Sequence, residues 1–235
     1  MRRNYQRSRS GCIVVRFPAA EHGTAVTDRE WKVLHQDEHL IVLDKPSGLL
    51  SVPGRGADKY DSLAVQVADD FPGARNVHRL DRDTSGVIVM ACDAAAHREL
   101  SRQFEQRETD KRYIAIAAGV VIEEAGKIEL PLRKDFDHPP RHMVDVQLGK
   151  LALSHWQVEA RYADSTRLSL IPQTGRSHQL RVHLQAIGHP ILGDPLYAPA
   201  ETQAAANRLM LHAIELEITH PASGERIRFV APAPF

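Results

Sequence analysis

The chain has 235 residues, of which 43% are hydrophobic and 26% charged, with Lys+Arg 30 balancing Asp+Glu 30. A chain of this size and composition buries roughly 70–75% of its unfolded surface, enough for a packed core without disulfides or metal, and it is not an intrinsically disordered polymer. No apolar run approaches the ~20 residues needed to cross a bilayer, and two cysteines, Cys12 and Cys92, cannot build a disulfide framework, which fits a reducing compartment.

The chain opens on an acid-free stretch in which Arg2, Arg3, Arg7, Arg9 and Arg16 precede the first carboxylate, Glu21. Such a start suits a basic arm touching phosphates, a targeting peptide or a solvated tail, and no signal-peptide core follows it. Residues 1–29 are read as this basic extension and 30–235 as one compact domain. Residues 39–44 read as a strand ended by the turn Lys45-Pro-Ser-Gly48. Residues 60–71 carry helical spacing at Leu63, Val67 and Phe71 and stop at Pro72-Gly73. Residues 87–91 form a short apolar run, a buried strand, after which Asp93 caps a helix to residue 107 with Leu100 and Phe104 one turn apart.

Residues 112–118 follow as a strand. Residues 151–162 alternate at Trp156, Val158, Ala160 and Tyr162, and they turn through Ala163-Asp164-Ser165 into a second strand at 166–171, a hairpin. Residues 177–187 form a helix with Leu180, Leu184 and Ile187 on its apolar face and Gly188 past its end. Strands at 209–219 and 226–230 are joined by Pro221-Ala-Ser-Gly224. Many strands with few helices between them favour an α+β fold. Charge is unevenly placed: between Asp164 and Asp194 there is no carboxylate, whereas Arg167, Arg176, Arg181, His178, His183 and His189 all fall there. An otherwise neutral chain therefore carries a local positive field, suited to a polyanion.

Three segments are rich in chemistry. In His78-Arg-Leu-Asp-Arg-Asp-Thr-Ser-Gly86, Asp81 lies between Arg79 and Arg82, and nearby cations keep a carboxylate ionised and available as nucleophile or base. The plainer alternative is a turn in which Asp81 only satisfies backbone donors. In Lys111-Arg112-Tyr113, the tyrosine either stacks on a base or lines the core. In the stretch Thr174-Gly-Arg-Ser-His-Gln-Leu-Arg181, Gly175 permits a tight entry to a helix whose first N–H groups face an anion. Ser177 and Arg181, four apart, share a face there; a solvated amphipathic helix is the alternative. Metal-ligand spacing is absent, since His178 and His183 are five apart and His138 and His142 lack companions. Nucleotide-binding glycine loops and serine-hydrolase signatures are absent as well.

Taken together, His78-Arg-Leu-Asp-x-x-Thr-Ser-Gly86, Lys111-Arg-Tyr113 and Gly175-Arg-x-His-Gln-Leu-Arg-x-His183 resemble the signature segments of the RluA-type pseudouridine synthases. Leu43-Asp-Lys-Pro-Ser-Gly48 and Gly193-Asp-Pro-Leu-Tyr197 match that family too, so the resemblance runs from about Leu34 to the C-terminus. It implies an α+β pseudouridine synthase catalytic domain over 30–235, a mixed, mostly antiparallel sheet with flanking helices and a central RNA-binding cleft, and no S4 domain ahead of it. The implied reaction isomerises uridine to pseudouridine in RNA without metal or cofactor. Asp81 is the implied nucleophile, at either ribose C1′ or base C6. Tyr113 would stack on the flipped base and Arg181 would pair with Asp81. Arg79, Arg176, His178 and Gln179 would contact RNA, and Leu80 and Val182 would wall the pocket.

The short form and the basic cluster Arg133, Lys134 and Arg141 look most like the large-subunit synthase A subgroup, which acts on a 23S rRNA loop and on tRNA anticodon stem-loops. The expected partner is thus rRNA and/or a tRNA stem-loop, with no membrane and no obligatory protein partner, in the cytoplasm. Competing expectations are a sister enzyme with another RNA site, a catalytically silent RNA-binding module, and a hydrolase using Asp81 and Asp83.

Overall fold

Apolar runs between turn residues build the strands, and capped amphipathic segments build the helices. The computed structural model describes residues 29–54, 56 and 60–235, together with the backbone of β1 (Tyr5–Arg7) and β2 (Ile13–Val15), an antiparallel pair. Arg2, Arg3, Arg9 and Arg16 of the basic extension lie outside the described residues, as does Cys12. The chain divides into two compact units, Met1–Asp110 with Ile214–Pro232, and Lys111–Ala213 with Ala233–Phe235.

In the first unit β3 (Lys32–Gln36) and β4 (Leu40–Lys45) pair antiparallel. α1 (Leu63–Asp70) starts later than its apolar spacing suggests, because Ser62 is the N-cap and its hydroxyl takes the Val65 N–H. The short β5 (Arg75–Asn76) and β4 both pair with β6 (Ser85–Ala91), which is buried throughout. Asp93 caps α2 (Ala94–Gln106) as expected, accepting from the N–H groups of Ala95 (2.7 Å) and Ala96 (2.8 Å). Arg107 ends that helix in the left-handed region.

In the second unit β7 (Asp110–Ala118) stands beside β12 in an antiparallel sheet of order β7-β12-β11-β8, where β8 is Ala125–Glu129, β11 Leu153–Arg161 and β12 Ser165–Pro172. Between β8 and β11 the chain makes a separate two-stranded arm, β9 (Leu132–Lys134) with β10 (His142–Val144). The expected β11–β12 hairpin is present. Trp156 lies so close over β8 that a side-chain carbon on Gly126 would come within 2.6 Å of its ring, so only glycine fits. α3 (Gln179–Ala186) packs on this sheet through Leu180 and Leu184, in a core with Ala115, Leu168 and Ile191. The short α4 (Ala200–Ala204) follows.

The chain then returns to the first unit along β13 (Leu211–Thr219) and β14 (Arg226–Val230), an antiparallel pair, with β2 running parallel beside β14. Leu216, Ile218 and Phe229 from this pair join Leu40, Val42, Val87, Val89 and Leu100 in one apolar core. Burying each such side chain contributes about 1.5–3 kcal/mol, which is what holds β4 and β6 rigid. The architecture is α+β with a mostly antiparallel sheet, as the strand-rich sequence predicts. No helix among the described residues is long and apolar enough to cross a membrane.

Candidate active site

Asp81 sits at the mouth of β6, half-buried, in a turn closed by the Thr84 N–H on the Asp81 carbonyl (3.2 Å). The backbone on both sides of it is clamped by the end of β4. Lys45 is fully buried, and its ammonium donates to the carbonyls of Pro46 (2.8 Å), Leu49 (2.6 Å) and Arg82 (2.9 Å). A buried cation is costly unless its donors are used, and three carbonyls match the three N–H bonds of an ammonium. Ser47 Oγ donates to the Asp83 carbonyl (2.7 Å), and the Gly48 N–H donates to the Arg82 carbonyl (2.9 Å). Gly48 has φ +88, a conformation that glycine adopts without cost. Ser51 Oγ donates to the Leu80 carbonyl (2.8 Å) and accepts from the Leu80 N–H (3.0 Å). Leu80 itself is buried, whereas Arg79 and Arg82 are exposed. The other end of the segment is tied down by His78, whose Nε2 accepts from the Val89 N–H (3.1 Å) and whose ring stacks on Phe104 of α2 at 4.2 Å.

The second unit carries the remaining predicted residues. Tyr113 stands on β7 opposite Leu170, half-buried against the core of that sheet. Arg112 lies 3.5 Å from Glu159. Arg181, on α3, is only 2% exposed. Its Nε donates to Oδ2 of Asp194 (2.8 Å) and its Nη2 to Oδ1 (2.6 Å), a bidentate pair. Asp194 is wholly buried, and its Oδ1 also accepts from the N–H groups of Leu196 (2.9 Å) and Tyr197 (3.1 Å). The ring of Tyr197 lies under the guanidinium groups of Arg181 (5.1 Å) and Arg141 (5.4 Å). Its hydroxyl accepts from the His142 N–H (2.7 Å) and hydrogen-bonds His178 Nδ1 (2.6 Å).

The entry to α3 corrects the sequence reading in three places. The tight entry expected at Gly175 is made at His178, the N-cap, which is left-handed (φ +57), while Gly175 has open space around it. Ser177 precedes the cap, so it shares no helical face with Arg181. Gln179, expected at the RNA, is buried with its amide fully used inside the protein. Its Nε2 donates to the Leu153 carbonyl (3.0 Å) and to Ser154 Oγ (2.9 Å), and its Oε1 accepts from Thr174 Oγ1 (2.7 Å) and the Arg176 N–H (3.0 Å). One turn on, His183 takes the same wall: Nε2 donates to the Leu130 carbonyl (3.1 Å), so Nδ1 accepts from Ser154 Oγ (3.0 Å). Burial pushes the His183 imidazole below its usual pKa, against an opposing pull from the Leu130 carbonyl. Arg176 is half-buried, its Nε on the Leu151 carbonyl (3.2 Å).

Val182 packs into an apolar cluster with Leu132, Ala152 and Tyr197. In the basic cluster, Arg133 is paired with Asp145 and Lys134 lies over the exposed ring of Phe136 (5.7 Å). The sequence alone assigns no task to Lys45, Asp194 or Tyr197, although the segments that carry them match the family. Among the described residues no group of three or more His, Cys, Asp or Glu side chains is arranged to hold a metal ion.

Residues 39–186 match the family described as RNA pseudouridylate synthase. A relative from Yersinia pestis, named dual-specificity RNA pseudouridine synthase RluA, is 53% identical over 204 residues, covering 86% of this chain and 99% of its own. Relatives of the same name from Escherichia coli strain K12 and Pasteurella multocida are 51% and 46% identical, covering 86% and 90% of this chain and 93% and 97% of theirs. Among solved structures, human RNA pseudouridylate synthase domain containing 1 superposes with a TM-score of 0.75 at 28% identity, covering 91% of this chain and 87% of that one.

Proposed function

The chain belongs to the RNA pseudouridylate synthase family as an RluA-type enzyme, and from that premise we propose that Asp81 is the nucleophile and that the substrate uridine lies in a 23S rRNA loop and/or a tRNA anticodon stem-loop. The observation that carries this reading is the clamp on the Asp81 loop: Leu80, Arg82 and Asp83 are each hydrogen-bonded to the segment running from Lys45 to Ser51. Neighbours held this firmly fix the direction of the side chain between them, and a carboxylate that attacks carbon gains most from a fixed direction.

A base inside folded RNA must first leave its stack, at a cost of a few kcal/mol. Tyr113, with a flat ring at the start of β7, is the residue assigned to stack on it and offset part of that cost. The Asp81 carboxylate then attacks ribose C1′ or base C6. The bond between C1′ and N1 breaks, the uracil turns while held, C5 bonds to C1′, the bond to Asp81 is broken so that its carboxylate is regenerated, and C5 loses a proton while N1 gains one. Arg181 is assigned to keep Asp81 anionic. Arg79, Arg176 and His178 are assigned to the RNA, with Leu80 and Val182 as apolar wall. RNA of this class places the enzyme in the cytoplasm, with residues 30–235 as its catalytic domain and 1–29 as a basic extension. Recognition of two RNAs by one such enzyme follows shared loop shape and splayed bases more than duplex sequence.

Tritium release from RNA labelled at uridine C5 tests the assignment. Asp81→Asn is expected to abolish release while leaving RNA affinity largely unchanged, because the carboxylate does chemistry and contributes little grip. Turnover retained by that variant would overturn it.

A further inference from the structure

We propose that Asp194 is a positioning residue for the isomerisation, acting through Arg181; this rests on the reading of Arg181 as the partner of Asp81. A guanidinium carries five N–H donors in a rigid plane. Asp194 takes one edge of that plane, Nε and one hydrogen of Nη2, in a two-point grip at 2.8 and 2.6 Å. Two points fix a plane's rotation as well as its position, so the direction of the opposite edge, Nη1, is set by Asp194 rather than by the flexible arginine stem.

Asp194 is itself immobilised. Its Oδ1 accepts from the N–H groups of Leu196 and Tyr197, so its carboxylate has four donors and no water-facing surface. The Tyr197 ring supports the guanidinium plane at 5.1 Å, and the Tyr197 hydroxyl, through His178, ties the same loop to the first turn of α3. The backbone of Gly193 runs close beside Arg208, since an added Cβ would lie 1.8 Å from the Arg208 carbonyl oxygen, so the residue before Asp194 admits no side chain. The two-point grip and the supporting ring together fix the direction in which the remaining donors of the guanidinium point.

The test measures single-turnover pseudouridine formation, RNA affinity and thermal unfolding for Asp194→Asn, Arg181→Ala and the double variant. Asp194→Asn is expected to slow the single-turnover step about a hundredfold, the scale of an ångström-sized misplacement, with RNA affinity within about threefold of the parent. In the Arg181→Ala background the same exchange is expected to change the rate little, because the group that it aims is gone. Should Asp194→Asn not fold, Asp194→Glu keeps the charge, and the same rate loss is expected from its displaced oxygens. An Asp194 variant that folds and binds but turns over at the parent rate overturns the proposal, as does a rate loss that multiplies with that of Arg181→Ala. If Arg181→Ala itself keeps the parent rate while Asp194→Asn loses it, the assigned role of Arg181 fails and the inference falls with it.

Discussion

Lys45 donates to the carbonyl oxygen of Arg82 at 2.9 Å across 37 residues of sequence, joining the end of β4 to the residue next to Asp81. Removing that ammonium takes a donor from the half-buried carbonyls of Pro46 and Leu49 and leaves the Arg82 carbonyl with the Gly48 N–H alone, at a cost of about 1–3 kcal/mol for each group left unsatisfied, before relaxation. Lys45→Met, which keeps the volume, is therefore expected to lose at least about 2 kcal/mol of stability in urea unfolding. It is also expected to slow single-turnover catalysis by about a hundredfold through misplacement of the loop. A stable variant with full turnover would show that the clamp does not position Asp81.

Tyr113, proposed to stack on the flipped base, is expected to separate affinity from rate. An enzyme that reads RNA shape through many groups loses only one of its contacts with one stacked base, so binding is expected to stay largely intact. Tyr113→Ala is expected to reduce the single-turnover rate at least about tenfold more than it weakens RNA binding, given stacking worth roughly 1–3 kcal/mol. Tyr113→Phe keeps the flat face and is expected to retain the affinity. Filter binding and rapid-quench measurements on the same RNA decide it, and equal losses in both for Tyr113→Ala would remove the stacking role.

His183 makes stability depend on pH in a predictable direction. Its folded pKa lies below the ordinary value of 6.5 because burial disfavours the imidazolium. Its contribution is complete above that value and declines as the pH falls, since the unfolded chain takes up the proton first. His39 pulls the other way: the Asp93 carboxylate raises its pKa, so its contribution is complete at low pH and fades as the pH rises. The difference between parent and His183→Gln isolates the first effect. The variant is expected to lose about 1–3 kcal/mol at neutral pH, and the gap between the two is expected to narrow on acidification to about pH 5.5. A gap independent of pH would contradict a neutral buried imidazole.

Much of the fold is legible in the sequence where one residue states its own role. Asp93 caps α2, the apolar run of β6 is buried on both faces, and the alternation of β11 and β12 marks their hairpin. Legibility fails where stability comes from afar. The β9–β10 arm escapes notice because its strands bury only Leu132, and β8 buries only Ile128. The start of α3 misleads because a glycine nearby invites the turn that His178 makes instead, held by the hydroxyl of Tyr197. The candidate site divides in the same way. Asp81, Tyr113 and Arg181 are proposed through the resemblance of short motifs. Gln179 lies in one of those motifs, yet its neighbours β11 and Thr174 absorb its amide. Pairs such as Lys45 with Arg82 and Arg181 with Asp194 leave no local periodicity, so only coordinates reveal them.

The backbone of His178 has a consequence for adaptation of this chain. A non-glycine residue at φ +57 carries conformational strain of about 1–3 kcal/mol. Glycine would relieve it, yet would delete the ring that tethers Tyr197 beneath the Arg181 guanidinium. Relaxing the backbone and keeping the ring tether thus make opposite demands on one codon. Glycine would exchange local strain for a looser hold on Tyr197 and a more flexible chain there.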